Sequence, residues 1–282
     1  MTRTIALIGH PVAHSLSPRF QQAALDALGI DARYEAWDVP APDLPIAIER
    51  LRSGSVIGAN VTVPHKVAML GRVDHHDALA ERVGAVNTVV RRDGQLHATN
   101  TDVAGVLRAL ADAGATVRGA RVVLLGAGGA ARAVVVALRD GGAAHLTVAN
   151  RTLERARGLV PLGGDAIAVE VAPLDPADAA LRRAMREASI VIQSTSLGLP
   201  HTATAGLSPV PRALFARGQV AFDLVYGREP TPFLRYAEAA GAQPVDGLAM
   251  LVHQGAASFR IWTGAEAPLD VMFGAARGAL SA

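Results

Sequence analysis

Of the 27 lysine and arginine residues in this chain, only Lys66 is a lysine. Arginine supplies the basic charge everywhere else, so a position that keeps lysine points to chemistry a guanidinium does not do. Arginine stays protonated at any working pH, whereas a lysine ammonium is a compact donor that can pass a proton. Lys66 ends the stretch Asn60-Val61-Thr62-Val63-Pro64-His65-Lys66. Residues 56–63 read as a strand, Pro64 stops it, and Lys66 is expected in the loop beyond. Loops at strand ends are where α/β proteins carry chemistry.

A second polar pair follows from strand pairing. Two strand-like runs, 85–90 and 95–101, flank Asp93-Gly94, a two-residue hairpin signal. A tight turn sets Arg92 against Gln95 and Asn87 against Asn100. Asp102 then lies one diagonal step from Asn87 on the same face, roughly 7–8 Å away. Asp102 also opens a helix expected over 103–113. The register thus places two polar side chains together on one face.

The third motif is Gly126-Ala127-Gly128-Gly129-Ala130-Ala131. Gly126 makes a tight turn, Gly128 lets backbone approach a pyrophosphate, and Ala131 stands where helix meets strand. The phosphates would sit on the helix N-terminus, where free N–H groups and the macrodipole favour anions. The motif lies between a strand at 122–125 and a helix at 130–139, the context a dinucleotide fingerprint requires. NAD enzymes place a carboxylate at the end of the next strand. Here that strand, 146–149, runs into Asn150-Arg151-Thr152-Leu153-Glu154-Arg155. Arg151 and Arg155 are suited to a 2′-phosphate, which argues for NADP.

Other candidates carry less. His10 and His14 are four apart, but Pro11 prevents a helical metal pair. His75-His76-Asp77 is expected on a solvated helix start or loop. Neither H-E-x-x-H nor G-x-S-x-G occurs, which removes a zinc protease and a serine hydrolase. No metal site is expected.

The elements that must position these groups alternate. Strands at 4–8, 34–39 and 56–63 enclose helices at 20–28 and 44–51, a β-α-β-α-β run that predicts a parallel sheet. Beyond the hairpin and the Gly-rich unit come a helix at 153–159, a strand at 166–171, a helix at 178–187, and strands at 189–193 and 219–225. A Gly- and Pro-rich loop spans 197–211. Two helices, 248–262 and 268–280, close the chain. Gly247, Met250 and Gln254 share one stripe at i, i+3 and i+7. A glutamine inside so apolar a helix must find a partner, most simply a backbone carbonyl of the core.

Length and composition agree. At 282 residues roughly two domains are expected, and half the residues are hydrophobic, enough for sizeable cores. Net charge is only +2 and no dense basic run occurs, so no nucleic-acid surface is expected. Zero cysteine removes disulfides, thiolate nucleophiles and cysteine metal sites, and fits a reducing compartment. No apolar run is long enough to span a bilayer, so no membrane partner is expected and a cytoplasmic location is.

Six motifs, in this order and at these intervals, resemble the shikimate dehydrogenase family: His14–Pro18, Asn60–Lys66, Gly84–Thr88, Asn100–Asp102, Gly126–Ala130 and Asp246–Leu248. The resemblance covers essentially the whole chain. It implies NADPH-linked reduction of 3-dehydroshikimate to shikimate, on the chorismate route to aromatic amino acids. Ser15 and Ser17 would bind the substrate carboxylate with Tyr226, while Thr62, Asn87 and Gln254 would hold ring hydroxyls. Lys66 and Asp102 would be the catalytic pair at the reacting carbonyl. Gly126, Ala127, Gly128, Gly129 and Ala130 would hold the pyrophosphate. Asn150, Arg151, Thr152 and Arg155 would hold the adenosine phosphate, and Leu224, Gly247 and Met250 would flank the nicotinamide. The chain departs from the family pattern at Gln193 (usually Asn), at Ala98 (usually Gly) and across 74–78.

The expected architecture is α/β with two domains and a cleft between them. Residues 1–103, completed by helices in 242–282, form the substrate domain, and 104–241 form a Rossmann-type NADP domain. A monomer or homodimer is expected. Quinate or an aminated analogue is the rival substrate; relatives acting on quinate often carry Thr where Ser17 stands, so Ser17 favours shikimate. The rival class is an NADP-binding regulatory module without catalysis, against which the joint presence of Lys66 and Asp102 speaks.

Overall fold

A computed structural model describes residues 2–200 and 202–281. His201, inside the loop read at 197–211, lies outside them, as do Met1 and Ala282. The chain divides into two compact units, Met1–Gly105 with Leu251–Ala282, and Val106–Met250.

The first unit is built on a six-stranded sheet. Its strands are β1 (Arg3–Gly9), β2 (Ala32–Asp38), β3 (Val56–Val61), β4 (His75–His76), β5 (Thr88–Arg92) and β6 (Gln95–Thr99), in the order β2-β1-β3-β5-β6-β4. β1 pairs in parallel with β2 and β3, whereas β5 runs antiparallel to β3 and β6. Ile5, Ala6, Leu7 and Ile8 are all buried, as a continuous apolar run in a sheet covered on both faces should be. The hairpin register is the expected one, from Thr88↔Thr99 to Arg92↔Gln95. Asp93 and Gly94 both have positive φ, 51° and 80°, which a type I′ turn demands. One core joins Ile8, Val56, Ala59, Val89 and Leu96 to Leu44, Ile48 and Leu51 of the helix Leu44–Leu51. Trp262, on the helix Leu248–Thr263, donates its indole N–H to the Val89 carbonyl at 2.9 Å. That approach leaves no room at Gly58, where a Cβ would stand 2.2 Å from the same oxygen.

Two expectations for this unit are corrected. β3 ends at Val61, and Lys66 is the first residue of a short helix, Lys66–Leu70, not part of a loop. His65 prepares that turn: its buried ring donates from Nε2 to the Val39 carbonyl at 2.6 Å. His75 and His76 form an edge strand paired with His97 and Ala98, and do not start a helix. The neighbouring Asp74 explains the pairing. Its carboxylate accepts from the Leu96 N–H at 2.7 Å and from Arg52 at 2.6 Å, drawing the segment onto the sheet. Asp77 then caps the helix Ala78–Val83 through the Ala80 N–H at 2.8 Å.

The second unit holds six parallel strands: β7 (Arg121–Leu125), β8 (His145–Asn150), β9 (Ala168–Pro173), β10 (Ile190–Gln193), β11 (Val220–Asp223) and β12 (Gln243–Val245). Their order, β12-β11-β10-β7-β8-β9, is that of a doubly wound dinucleotide fold. Seven residues of the helix Gly129–Asp140 are buried, six of them consecutive, so the helix is enclosed nearly all round. A further cluster joins Val123, Val191 and Ala221 to Leu181 and Met185 of Ala179–Glu187 and to Phe233 and Leu234 of Pro232–Ala239. Residues 243–245, which the sequence grouped with the C-terminal helices, pair with β11 and belong to this sheet. Three residues, one of them Pro244, carry too little pattern to announce a strand.

Candidate active site

In the first unit, strand ends and one helix bring the sequence-selected polar groups together. Lys66 Nζ donates to Asp102 Oδ2 at 2.6 Å, with side-chain exposures of 16% and 5%. The other carboxylate oxygen, Oδ1, accepts from Asn87 Nδ2 at 2.8 Å. Asp102 thus has both oxygens occupied, which offsets the cost of burying charge. Its backbone N–H donates to Asn100 Oδ1 at 3.0 Å, so Asn100 fixes the start of the helix Asp102–Asp112. Lys66 is pinned through its own carbonyl, which accepts from the Val86 N–H at 2.8 Å.

Asn87 is the hub. Its Oδ1 accepts from the Thr101 N–H at 2.7 Å, which fixes the amide's orientation. Its Nδ2 has two hydrogens but three acceptors in range: Asp102 Oδ1, Thr101 Oγ1 at 2.9 Å and Gln254 Oε1 at 3.1 Å. Gln254 is therefore free to give its oxygen to a ligand hydroxyl at little cost. Its Nε2 stays on the Leu251 carbonyl at 2.7 Å. Behind Asn87, Ser258 Oγ meets Thr88 Oγ1 at 2.7 Å and accepts from Asn60 Nδ2 at 3.0 Å. Tyr34 donates to Asn60 Oδ1 at 2.8 Å, and burial pushes its phenol well above the ordinary range, so it stays a donor.

Ser15, Ser17 and Thr62 follow the ends of neighbouring parallel strands, since Ile8 pairs with Val61. Ser17 starts the helix Ser17–Ala27, is 4% exposed, and gives its N–H to Ser15 Oγ at 3.3 Å. Thr62 is half-buried, and its methyl lies 2.3 Å from where a Gly9 Cβ would be. Nothing in the sequence singled out Gln21, one helical turn beyond Ser17. It donates to the Gly255 carbonyl at 2.9 Å, and its buried Oε1 has no partner among the described residues.

The second unit carries the other set. Gly126 follows β7 with φ +108°, and a Cβ there would meet Ser194 Oγ at 2.8 Å and the Ser194 carbonyl carbon at 3.0 Å. Gly128 is the N-cap of Gly129–Asp140, and a Cβ at Gly128 or Gly129 would meet no atom within 4 Å. An open glycine edge over unsatisfied helix N–H groups, Ala130 among the first, is what a pyrophosphate needs. Ala127 sits in the turn itself. Asn150 ends β8 and donates to the Thr152 carbonyl at 2.8 Å, while Arg151, Thr152 and Arg155 are exposed beyond it. Gln193, one departure from the family pattern, is wholly buried; it accepts from the Thr195 N–H and donates to the Leu197 carbonyl at 2.8 Å. Its longer side chain therefore serves the loop.

Leu224 follows β11 and faces Gly247 at very short range, for a Cβ at Gly247 would stand 2.3 Å from the Leu224 oxygen. Met250 is buried three residues on, and Tyr226 is half-buried in the loop after Val225. Asp223, which the sequence did not reveal, ends β11 at 0% exposure. Burial pushes its carboxyl from 3.8 up to about 7, and the Asp246 charge adds to the rise; hydrogen bonds from Thr231 and Val225 oppose it. Between about pH 4 and pH 7 the folded chain holds a proton the unfolded chain has released. This group's contribution therefore falls as pH rises through that window and levels off above it, by about 4 kcal/mol in all. Asp223→Asn is expected to remove this slope and to be more stable than wild type at pH 8. Urea titrations across pH measure it, and parallel curves for the two proteins would refute the assignment.

Among the described residues no three His, Asp or Glu side chains are placed to hold a metal, and no helix is long and apolar enough to cross a membrane.

Comparison with known proteins bears on both units. Residues 7–89 match the family profile described as shikimate dehydrogenase substrate binding domain, residues 109–249 match shikimate / quinate 5-dehydrogenase, and 247–277 match shikimate 5'-dehydrogenase C-terminal domain. Shikimate dehydrogenase (NADP(+)) of Moorella thermoacetica is 45% identical over 283 residues, covering 100% of this chain and 95% of its own. The crystal structure of shikimate 5-dehydrogenase from Thermus thermophilus, in complex with NADP(H) and shikimate, superposes with a TM-score of 0.88 at 41% identity, over 99% of this chain and 100% of that one. The ligand-free 5-ketofructose reductase of a Gluconobacter species shares the fold at TM-score 0.87 and 33% identity, over 99% of each chain.

Proposed function

Because the chain belongs to the shikimate dehydrogenase family, we propose that it reduces 3-dehydroshikimate to shikimate with NADPH, using Lys66 and Asp102 at the reacting carbonyl. The observation that carries this reading is the Lys66–Asp102 pair at 2.6 Å, joined through Asn87 to Gln254.

The chemistry follows from these groups. Bound NADPH supplies the hydride. Lys66, as an ammonium, donates a hydrogen bond to the substrate carbonyl and passes its proton to that oxygen as alkoxide charge grows. Asp102 holds the ammonium in place and keeps its charge compensated. Asn87 and Gln254 exchange their mutual hydrogen bond for contacts to ring hydroxyls, with Thr62 contributing its own hydroxyl. Ser15 and Ser17 hold the carboxylate, assisted by Tyr226, and so orient the ring.

The glycine edge at Gly126–Ala130 fits the pyrophosphate, and Asn150, Arg151, Thr152 and Arg155 hold the adenosine phosphate. Leu224, Gly247 and Met250 flank the nicotinamide. No carboxylate stands at the end of β8, so Arg151 and Arg155 select the 2′-phosphate. Arg151→Ala is expected to raise KM for NADP about 10- to 100-fold, the loss of a charge-assisted phosphate contact, with KM for NAD unchanged. Steady-state kinetics with both cofactors measure this. Equal effects on the two would remove Arg151 from the 2′-phosphate.

The test of the function is nicotinamide absorbance with purified protein, offering shikimate and quinate each with NADP and NAD. Fast reduction of NADP by shikimate alone is expected. Activity mainly with quinate would overturn the use of Ser17 for specificity. Cofactor binding without turnover would favour a regulatory module. 5-Ketofructose with NADPH belongs in the same assay, since that reductase shares the fold. The reading also places the enzyme in the cytoplasm, as its lack of cysteine suits. It takes the enzyme to be a monomer or homodimer, which light scattering distinguishes.

A further inference from the structure

β11 ends in a polar device that none of the roles above uses. Asp223 Oδ1 accepts from the Val225 N–H at 2.9 Å, and Oδ2 accepts from the Thr231 hydroxyl at 2.6 Å. The same Thr231 oxygen accepts from the Leu234 N–H at 3.3 Å, capping the helix Pro232–Ala239. One carboxylate therefore ties together both ends of the loop 224–230. The loop lines a cavity of about 230 Å³ together with Leu234 and Pro244.

Those ties converge on one turn. The Leu224 N–H donates to the Gln193 carbonyl at 2.9 Å, and the Val225 carbonyl accepts from the Gly247 N–H at 3.2 Å. Gly247 lies against the Leu224 oxygen so closely that no side chain fits there. The turn thus has fixed partners on β10 and on the segment after β12, and the Asp223 carboxylate ties it to Thr231. Asp223 and Thr231 are both nearly inaccessible, at 0% and 4%.

We propose that Asp223 and Thr231 are positioning residues that clamp the Leu224–Val225 turn in the shape the nicotinamide end of the cofactor requires. This rests on the reading that Leu224 and Gly247 flank that ring. Neither residue touches the cofactor. Their effect passes through the turn, so it falls on the nicotinamide half and spares the adenosine half.

The experiment compares two ligands on the full chain. NADPH binding is followed by its fluorescence, and adenosine 2′,5′-bisphosphate, which lacks the nicotinamide, by calorimetry. Thr231→Val, which removes the hydroxyl, is expected to weaken NADPH about tenfold and to leave the bisphosphate within twofold. Thr231→Ser, which keeps the hydroxyl, is expected to bind both as wild type does. Asp223→Asn is the second variant, and it separates binding from stability. It is expected to bind NADPH more weakly while resisting urea better than wild type above pH 7. Equal weakening of both ligands by Thr231→Val would make the clamp a merely structural tie and overturn the proposal. So would NADPH binding at wild-type strength. Failure of the wild type itself to bind NADPH would instead overturn the cofactor reading, and the clamp with it.

Discussion

Lys66→Ala is expected to lower kcat with shikimate and NADP by about 10²–10⁴-fold, the range for a lost general acid or base, while KM changes little. The geometry sets this expectation. Lys66 Nζ donates to Asp102, and its 16% exposure leaves the ammonium a remaining face for a ligand oxygen. A group that bound ground state and transition state equally would raise KM and spare kcat. Lys66→Arg keeps a cation beside Asp102 but has no proton to pass, so it separates the two contributions. Turnover by the arginine variant at the wild-type rate would remove proton transfer from Lys66 and leave it an electrostatic role. A kcat for Lys66→Ala within a few-fold of wild type would remove it from the chemistry. The alanine variant should fold, since a cavity at a partly exposed side chain collapses into solvent. It does leave the Asp102 carboxylate short of a partner, and some loss of stability is expected with it.

The other large effect belongs to Gly126. Gly126→Ala must place a methyl at φ +108°, 3.0 Å from a backbone carbon of Ser194 and 2.8 Å from its hydroxyl oxygen. Backbone strain and overpacking together are expected to cost about 2–4 kcal/mol of stability. NADP binding should fall by more than about 100-fold, because the turn that presents the helix N-terminus must move. Gly128→Ala supplies the contrast. No atom lies within 4 Å of its added methyl, and its φ of −87° suits any residue. It should melt with the wild type, yet bind NADP poorly, since the methyl occupies the edge the phosphates approach. Thermal melts and NADPH fluorescence on both variants decide the matter. A stable Gly126→Ala protein would show that the turn is not fixed as described, and full binding by Gly128→Ala would move the pyrophosphate elsewhere.

Much of this site is legible in the sequence, for reasons that differ from residue to residue. Asn87 and Asp102 were paired by arithmetic, because a two-residue turn fixes every register beyond it, and they do share a hydrogen bond at 2.8 Å. The Gly-rich turn was legible because its neighbours in sequence are also its structural context. Gln254 shows a mixed case. A backbone partner for its amide was the simplest expectation and Leu251 provides one, while the other end of the same amide reaches Asn87. The sequence puts Lys66 in a loop because Pro64 ends the strand, and the five-residue helix Lys66–Leu70 is too short to show a period. Asp223 and Thr231 escaped notice because an acid at a strand end and a Thr-Pro before a helix are ordinary singly. Only the fold brings the hydroxyl onto the carboxylate. Asn60 and Ser258, 198 positions apart, are joined by a hydrogen bond that no spacing rule could reveal.

The single lysine has one more consequence, for observing the protein. Apart from the α-amine, the chain carries one primary amine, and it sits in the candidate site. Reductive methylation with isotope-labelled formaldehyde would therefore install one side-chain methyl probe, free of the overlap that several lysines create. Its resonance would report directly on the Lys66–Asp102 contact as ligands are added. Shikimate should shift that signal, and should also slow the labelling reaction by shielding the amine. Amine-directed crosslinkers and surface-coupling chemistries would meet the same constraint: the only side chain they can use is the one the enzyme can least spare.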